Sequence, residues 1–106
     1  MPNGEIGEMV RVRGLVQGVG FRPTVWRLAQ AHGLRGSVAN DGEGVTIHVG
    51  GPPTAIANFV DSLLAGPPPL ARIERLERSP ARLPRETEFR IASSRARTTS
   101  KLPPSG

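Results

Sequence analysis

The sequence predicts an α+β domain of two layers, a sheet carrying two helices, and three observations predict it. Runs around residues 9–15 and 45–49 alternate apolar and polar side chains with the period of a half-buried strand. Runs around residues 21–33 and 56–64 instead repeat their apolar residues every three or four positions, the period of an amphipathic helix. Glycine, proline and Asn-Asp-Gly clusters punctuate the boundaries between them.

In chain order, MVRVRGL at 9–15 sends Val10 and Val12 to one face and Arg11 and Arg13 to the other, which is a strand. Gly14, Gly18 and Gly20 interrupt it, and Pro23 suits the first turn of a helix, where its missing N–H is not needed. Phe21, Val25, Leu28 and Ala29 form the apolar stripe of that helix, and Gly33 supplies a left-handed stop. Ser37 and Val38 lead into the turn NDGEG, after which Val45, Ile47 and Val49 alternate with Thr46 and His48, giving a hairpin. Pro52 and Pro53 open a second helix, whose core stripe is Ile56, Phe59, Val60, Leu63 and Leu64, and Gly66 ends it.

Residues 70–79, LARIERLERS, are ambiguous by pattern alone. Ile73 and Leu76 sit three apart, and Glu74 with Arg78 would make a helical pair. The proline-rich approach and the short length favour a strand with a bulge, and Phe89 with Ile91 adds a short final strand. The order strand, helix, strand, strand, helix, strand most simply builds a four-stranded antiparallel sheet with both helices on one face. That is the split βαβ, or ferredoxin-like, βαββαβ sandwich with a short fifth strand. The domain is expected to occupy residues 1–92. Residues 93–106, SSRARTTSKLPPSG, hold almost nothing to bury and read as a flexible tail or the start of an interdomain linker.

Composition narrows the chemistry. At 106 residues the chain fits one domain with a real core, and it has no cysteine, so disulfides, thiolate metal sites and thiol nucleophiles are excluded. The first ten residues lack the apolar run of a leader, and no segment approaches the roughly 18 apolar residues of a membrane span. A cytoplasmic protein without a membrane partner is therefore expected. A net charge of +5 permits nucleic-acid binding, but the arginines from Arg72 to Arg90 alternate with Glu74, Glu77, Glu86 and Glu88, the pattern of a mixed solvated face. His32 and His48 have no carboxylate or second histidine at ligand spacing, so no metal and no cofactor is expected. Trp26 reads as a partly buried helix residue.

VQGVGFRP, at 16–23, carries the chemistry. Between a strand and a helix, the amides of Gln17, Gly18, Val19, Gly20, Phe21 and Arg22 lie at a helix N-terminus and lack helical partners. Gly18 and Gly20 can take positive φ and curl those amides inward around an anion, the helix dipole favours negative charge there, and Arg22 adds a bidentate fork. The stretch is neither the usual nucleotide loop nor the dinucleotide fingerprint. By glycine count alone it is equally a tight connection with a surface arginine, and Asn40 in its NDG turn is equally a turn residue.

RGLVQGVGFRP resembles the active loop of the acylphosphatase family, a strand ending in V-Q-G-V-x-F-R. SVANDGEGV resembles the family's second motif, which Gly36, Val38, Asn40 and Gly44 match position for position. The resemblance spans residues 9–91. It implies a ferredoxin-like hydrolase of acyl phosphates in which Arg22 binds the phosphate, with residues 17–22 as the phosphate-binding loop, and Asn40 orients the attacking water. Pro23, Trp26 and NDGEGV look most like the acylphosphatase-like domain that opens a carbamoyltransferase of nickel–iron hydrogenase maturation. That implies carbamoyl phosphate as substrate and the downstream domains of the larger enzyme as partners. Two departures stand out: Asp41 replaces a common threonine and puts a negative charge beside the expected water site, and Thr46 is shifted.

Two other functions fit the same fold. One is a regulatory domain that binds an acyl phosphate without cleaving it. The other is an RNA-binding module, which the absence of aromatic residues from VRVRG and VTIHV disfavours, so no nucleic-acid partner is expected.

Overall fold

The computed structural model describes residues 4–92. The elements run β1 (Ile6–Leu15), α1 (Phe21–Ala31), β2 (Arg35–Asn40), β3 (Gly44–Gly51), α2 (Pro53–Ala65), β4 (Arg72–Ala81) and β5 (Phe89–Ile91). The strand order is β4-β1-β3-β2-β5. The first four strands pair antiparallel throughout, and β5 joins the free edge of β2 in parallel. This is the ferredoxin-like sandwich, with the short final strand as its fifth. The expected tail lies outside the described residues.

A single apolar core joins one face of the sheet to both helices. Val10 and Val12 of β1, Val38 of β2 and Val45, Ile47 and Val49 of β3 meet Phe21, Val25 and Ala29 of α1 and Ile56, Phe59, Val60 and Leu63 of α2. Two residues depart from the sequence patterns. Leu64 is 48% exposed rather than core, because at about 100° per residue it stands roughly 80° past Ile56, at the margin of the stripe. At the start of β1, Glu8 shares the parity of Val10 yet is mostly covered, and Arg78 from β4 holds it with two hydrogen bonds of 2.8 and 2.9 Å.

Of residues 70–79, those from 72 onward lie in β4, a strand with a bulge, and Leu70 and Ala71 precede it. Arg13 pairs with Arg75 but Gly14 with Ile73, so Glu74 is the extra residue. β4 is an edge strand whose residues are half of them charged and mostly exposed, and it ends near Pro80, features that discourage edge-to-edge association. Trp26 anchors the other edge: its indole N–H donates to the Phe89 carbonyl at 2.9 Å, leaving the residue 38% exposed.

This topology determines where the site can be. β1 ends, β2 ends and β3 begins at one end of the sheet, with Arg13 opposite Gly44 and Val45 opposite Asn40. The glycine loop after β1 and the turn after β2 therefore leave the same end of the sheet, with the start of β3 between them.

Candidate active site

The loop between β1 and α1 has the backbone its glycines allow. Gly18 has φ 74° and Gly20 φ 80°, both left-handed, and a side chain at either would meet no neighbour. Backbone conformation, and not crowding, is what calls for glycine there. Gly20 is also the N-cap of α1, so the helix begins without a capping side chain. Among the described residues, no acceptor engages the amides of residues 17–22. Open amides at the positive end of an 11-residue helix are donors suited to a phosphoryl oxygen.

Side chains anchor the loop from both sides. Val16 and Phe21 are buried in the core and bracket the exposed stretch. Arg22, in the first turn of α1, is half-buried and forms no ion pair or hydrogen bond among the described residues. Its guanidinium is thus uncommitted. The Gln17 side chain reaches β3, where its Nε2 donates to the Gly44 carbonyl at 2.6 Å. Gln17 thereby ties the loop to β3 with its side chain.

Asn40 ends β2 and shares the helix-covered face of Val38 by strand alternation. Its Oδ1 is buried and has no hydrogen-bond partner. Burying an acceptor without a donor costs about 1–3 kcal/mol. Such a group is expected where a ligand or an ordered water supplies the missing proton.

Asp41, the next residue, takes the opposite direction. Its carboxylate accepts from the amides of Glu43 and Gly44 at 3.0 Å each, from Arg13 Nη1 at 3.1 Å and from the Thr46 hydroxyl. The negative charge expected beside the water site is instead neutralised on the other face of the hairpin, and Thr46 has become one of its donors. Burial pushes the Asp41 carboxyl up, but the hydrogen bonds from Thr46, the Glu43 amide and Arg13, with the Arg13 charge, outweigh it and hold the group below its ordinary value.

These positions bring the loop and Asn40 to one end of the sheet. Residues 8–91 match the family model described as acylphosphatase. The chain belongs to the acylphosphatase family. Over 68 residues this acylphosphatase is 56% identical to the carbamoyltransferase HypF of Rhodobacter capsulatus, covering 64% of this chain and 9% of that one. It is also 36% identical to the acylphosphatase of Lacticaseibacillus paracasei over 77 residues, 72% of this chain and 83% of that enzyme. A solved full-length HypF in the phosphate- and nucleotide-bound form superposes with a TM-score of 0.84 at 30% identity, covering 89% of this chain and 13% of that one. The chain therefore spans about a tenth of the carbamoyltransferases it matches, and it is an acylphosphatase domain homologous to the N-terminal domain of HypF.

Two features of the acylphosphatase domain were not singled out from sequence, the Gln17 side-chain tie to Gly44 and the Arg13–Asp41–Thr46 cluster. Each rests on strand register, which places Arg13 opposite Gly44. The alternation of Arg11 and Arg13 marked them as outward but could not show which would meet an acid. Among the described residues, no three histidine, cysteine, aspartate or glutamate side chains converge on a metal site, and no helix is long and apolar enough to cross a membrane.

Proposed function

We propose that this domain hydrolyses acyl phosphates, with Arg22 and the amides of residues 17–22 holding the phosphoryl group and Asn40 orienting the attacking water. The observation that carries this reading is the buried, unpartnered Oδ1 of Asn40 at the end of the sheet where the loop presents its open amides. A water donating one proton to that oxygen would keep a lone pair for phosphorus. Acyl phosphates release a carboxylate or carbamate, a good leaving group, so the step depends on positioning and charge stabilisation more than on a strong base. Arg22 supplies a full charge and the loop amides supply dipoles where charge gathers on the phosphoryl oxygens.

The strong similarity to HypF supports carbamoyl phosphate as the physiological substrate, cleaved to carbamate and phosphate in the cytoplasm. Here the domain, residues 1–92, works as the opening part of a carbamoyltransferase of hydrogenase maturation, residues 93–106 begin a linker, and the downstream domains receive the product. The test is hydrolysis of acetyl phosphate and carbamoyl phosphate by the 106-residue chain with a chelator present. Turnover under those conditions supports the reading. Saturable phosphate binding without turnover would replace it with a binding domain, and salt-dependent RNA binding without turnover would replace it with a nucleic-acid module.

A further inference from the structure

Gly44 joins the two halves of the site. Its carbonyl accepts from Gln17 Nε2 at 2.6 Å and from the Asp41 amide at 3.1 Å, and its own amide donates to Asp41 Oδ1 at 3.0 Å. It is packed so tightly on β1 that a Cβ would stand 2.1 Å from the Val12 carbonyl oxygen. The residue that receives the loop's glutamine therefore has no room to shift toward β1. On the other side, the Asp41 carboxylate is clamped by Arg13 from β1 and Thr46 from β3, with Glu43 Oε1 at 3.4 Å from Arg13 Nε. Asn40 lies one peptide before this clamp.

We infer that Asp41 is a positioning residue, which holds the Asn40 amide in register with the glycine loop through Gly44 and Gln17. The inference rests on the reading of Asn40 as the water-orienting residue. Fixing the Asp41 side chain at four donors on one face of the hairpin fixes the peptide plane between residues 40 and 41, and with it the Cα–Cβ direction of Asn40 on the other face. The Gln17 bond then sets how far that direction lies from the loop amides. A charged carboxylate suits this role because charge-assisted hydrogen bonds are shorter and stronger than those a neutral side chain would accept. Small displacements matter at such sites, since a misplacement of about 1 Å can cost on the order of a hundredfold in rate.

The test compares Asp41→Asn, Gln17→Ala and the double variant with Asn40→Ala, using acetyl phosphate. Turnover is expressed per phosphate-binding site, counted by calorimetric titration with inorganic phosphate. That normalisation removes any loss due only to a smaller folded fraction. Asp41→Asn should lower kcat per site about tenfold or more while KM and phosphate affinity stay within about twofold. The double variant should lose less than the product of the single losses, because both bonds act through Gly44. Should Asp41→Asn fail to fold, Thr46→Val removes one donor, leaves the turn amides and Arg13 in place, and should still lower kcat per site. Unchanged turnover per site in Asp41→Asn, or in Thr46→Val where Asp41→Asn does not fold, overturns the positioning role, as do fully multiplicative losses. If Asn40→Ala keeps full turnover, the water-orienting role itself falls, and the positioning role with it. A large loss in Asn40→Ala beside an intact Asp41→Asn would leave Asn40 its role and remove only that of Asp41.

Discussion

Arg22 and Asn40 differ in how the fold treats them. Arg22 is half-buried with an uncommitted guanidinium, so its replacement removes charge from the loop without breaking an ion pair or hydrogen bond among the described residues. Arg22→Ala should lower kcat/KM for acetyl phosphate about a hundredfold or more, with Tm nearly unchanged. Asn40 carries a buried acceptor that the fold leaves unpaired. Asn40→Ala should therefore lower kcat chiefly, and calorimetry should show stability held or slightly raised, since the desolvation cost disappears with the amide. Asp41 has the opposite balance. Its folded-state pKa is depressed, so it contributes stability above its unfolded pKa, and that contribution is lost as pH falls through the folded value. Denaturant titrations across the range below about pH 4 should show wild-type stability declining, with a shallower decline in Asp41→Asn. At this scale the residues proposed to meet ligand were legible through two motifs standing together, VQGVGFRP and SVANDGEGV, since the glycines and arginine alone also suit a tight connection. The partners of Asp41 were hidden, because they depend on which residues the register of three strands makes neighbours.

Among the elements, α1 is built to leave its N-terminus open. A glycine in the left-handed region stands where Ser, Asp or Asn would close the first amides, at a cost of only about a few tenths of a kcal/mol. The same glycine keeps those amides free for an anion. Gly20→Ala meets no steric obstacle but must carry a side chain at φ 80°. It should lose about 1–2 kcal/mol, or reshape the loop. Inorganic phosphate affinity, measured by calorimetry, should then fall further than the change in Tm alone would suggest. The helices and the hairpin were legible in the chain because local periodicity and turn chemistry agreed. β4 was less so: its charges suit a solvated helix as well as an edge strand, and only pairing along β1, with Glu74 bulged, decides between them. The inward Glu8 was illegible for the same reason, since Arg78 is seventy residues away in sequence.

The whole molecule is a small sandwich whose proposed site residues stand at one end of the sheet. Its core carries the stability: Phe59 is fully buried between the helices and the sheet, and Phe59→Ala should cost about 3–5 kcal/mol, read as a lower midpoint in urea. Because the loop follows β1 and Asn40 ends β2, with β3 paired to both, separation of the two halves of the site requires opening β3 from β1 or from β2. The fold was readable as a whole because two apolar helices and half-apolar strands have few ways to share one core. The parallel docking of β5 beside β2 was not readable, since a three-residue strand carries no signal of its neighbour.

The most direct test of the anion site is a titration of the isotope-labelled chain with inorganic phosphate, followed by amide chemical shifts. Saturable shifts should concentrate at residues 17–22 and at the Asn40 side-chain amide, and should be abolished in Arg22→Ala. Saturation centred elsewhere, for instance on the exposed arginines Arg85 and Arg90, with the loop amides unmoved, would contradict the proposed site.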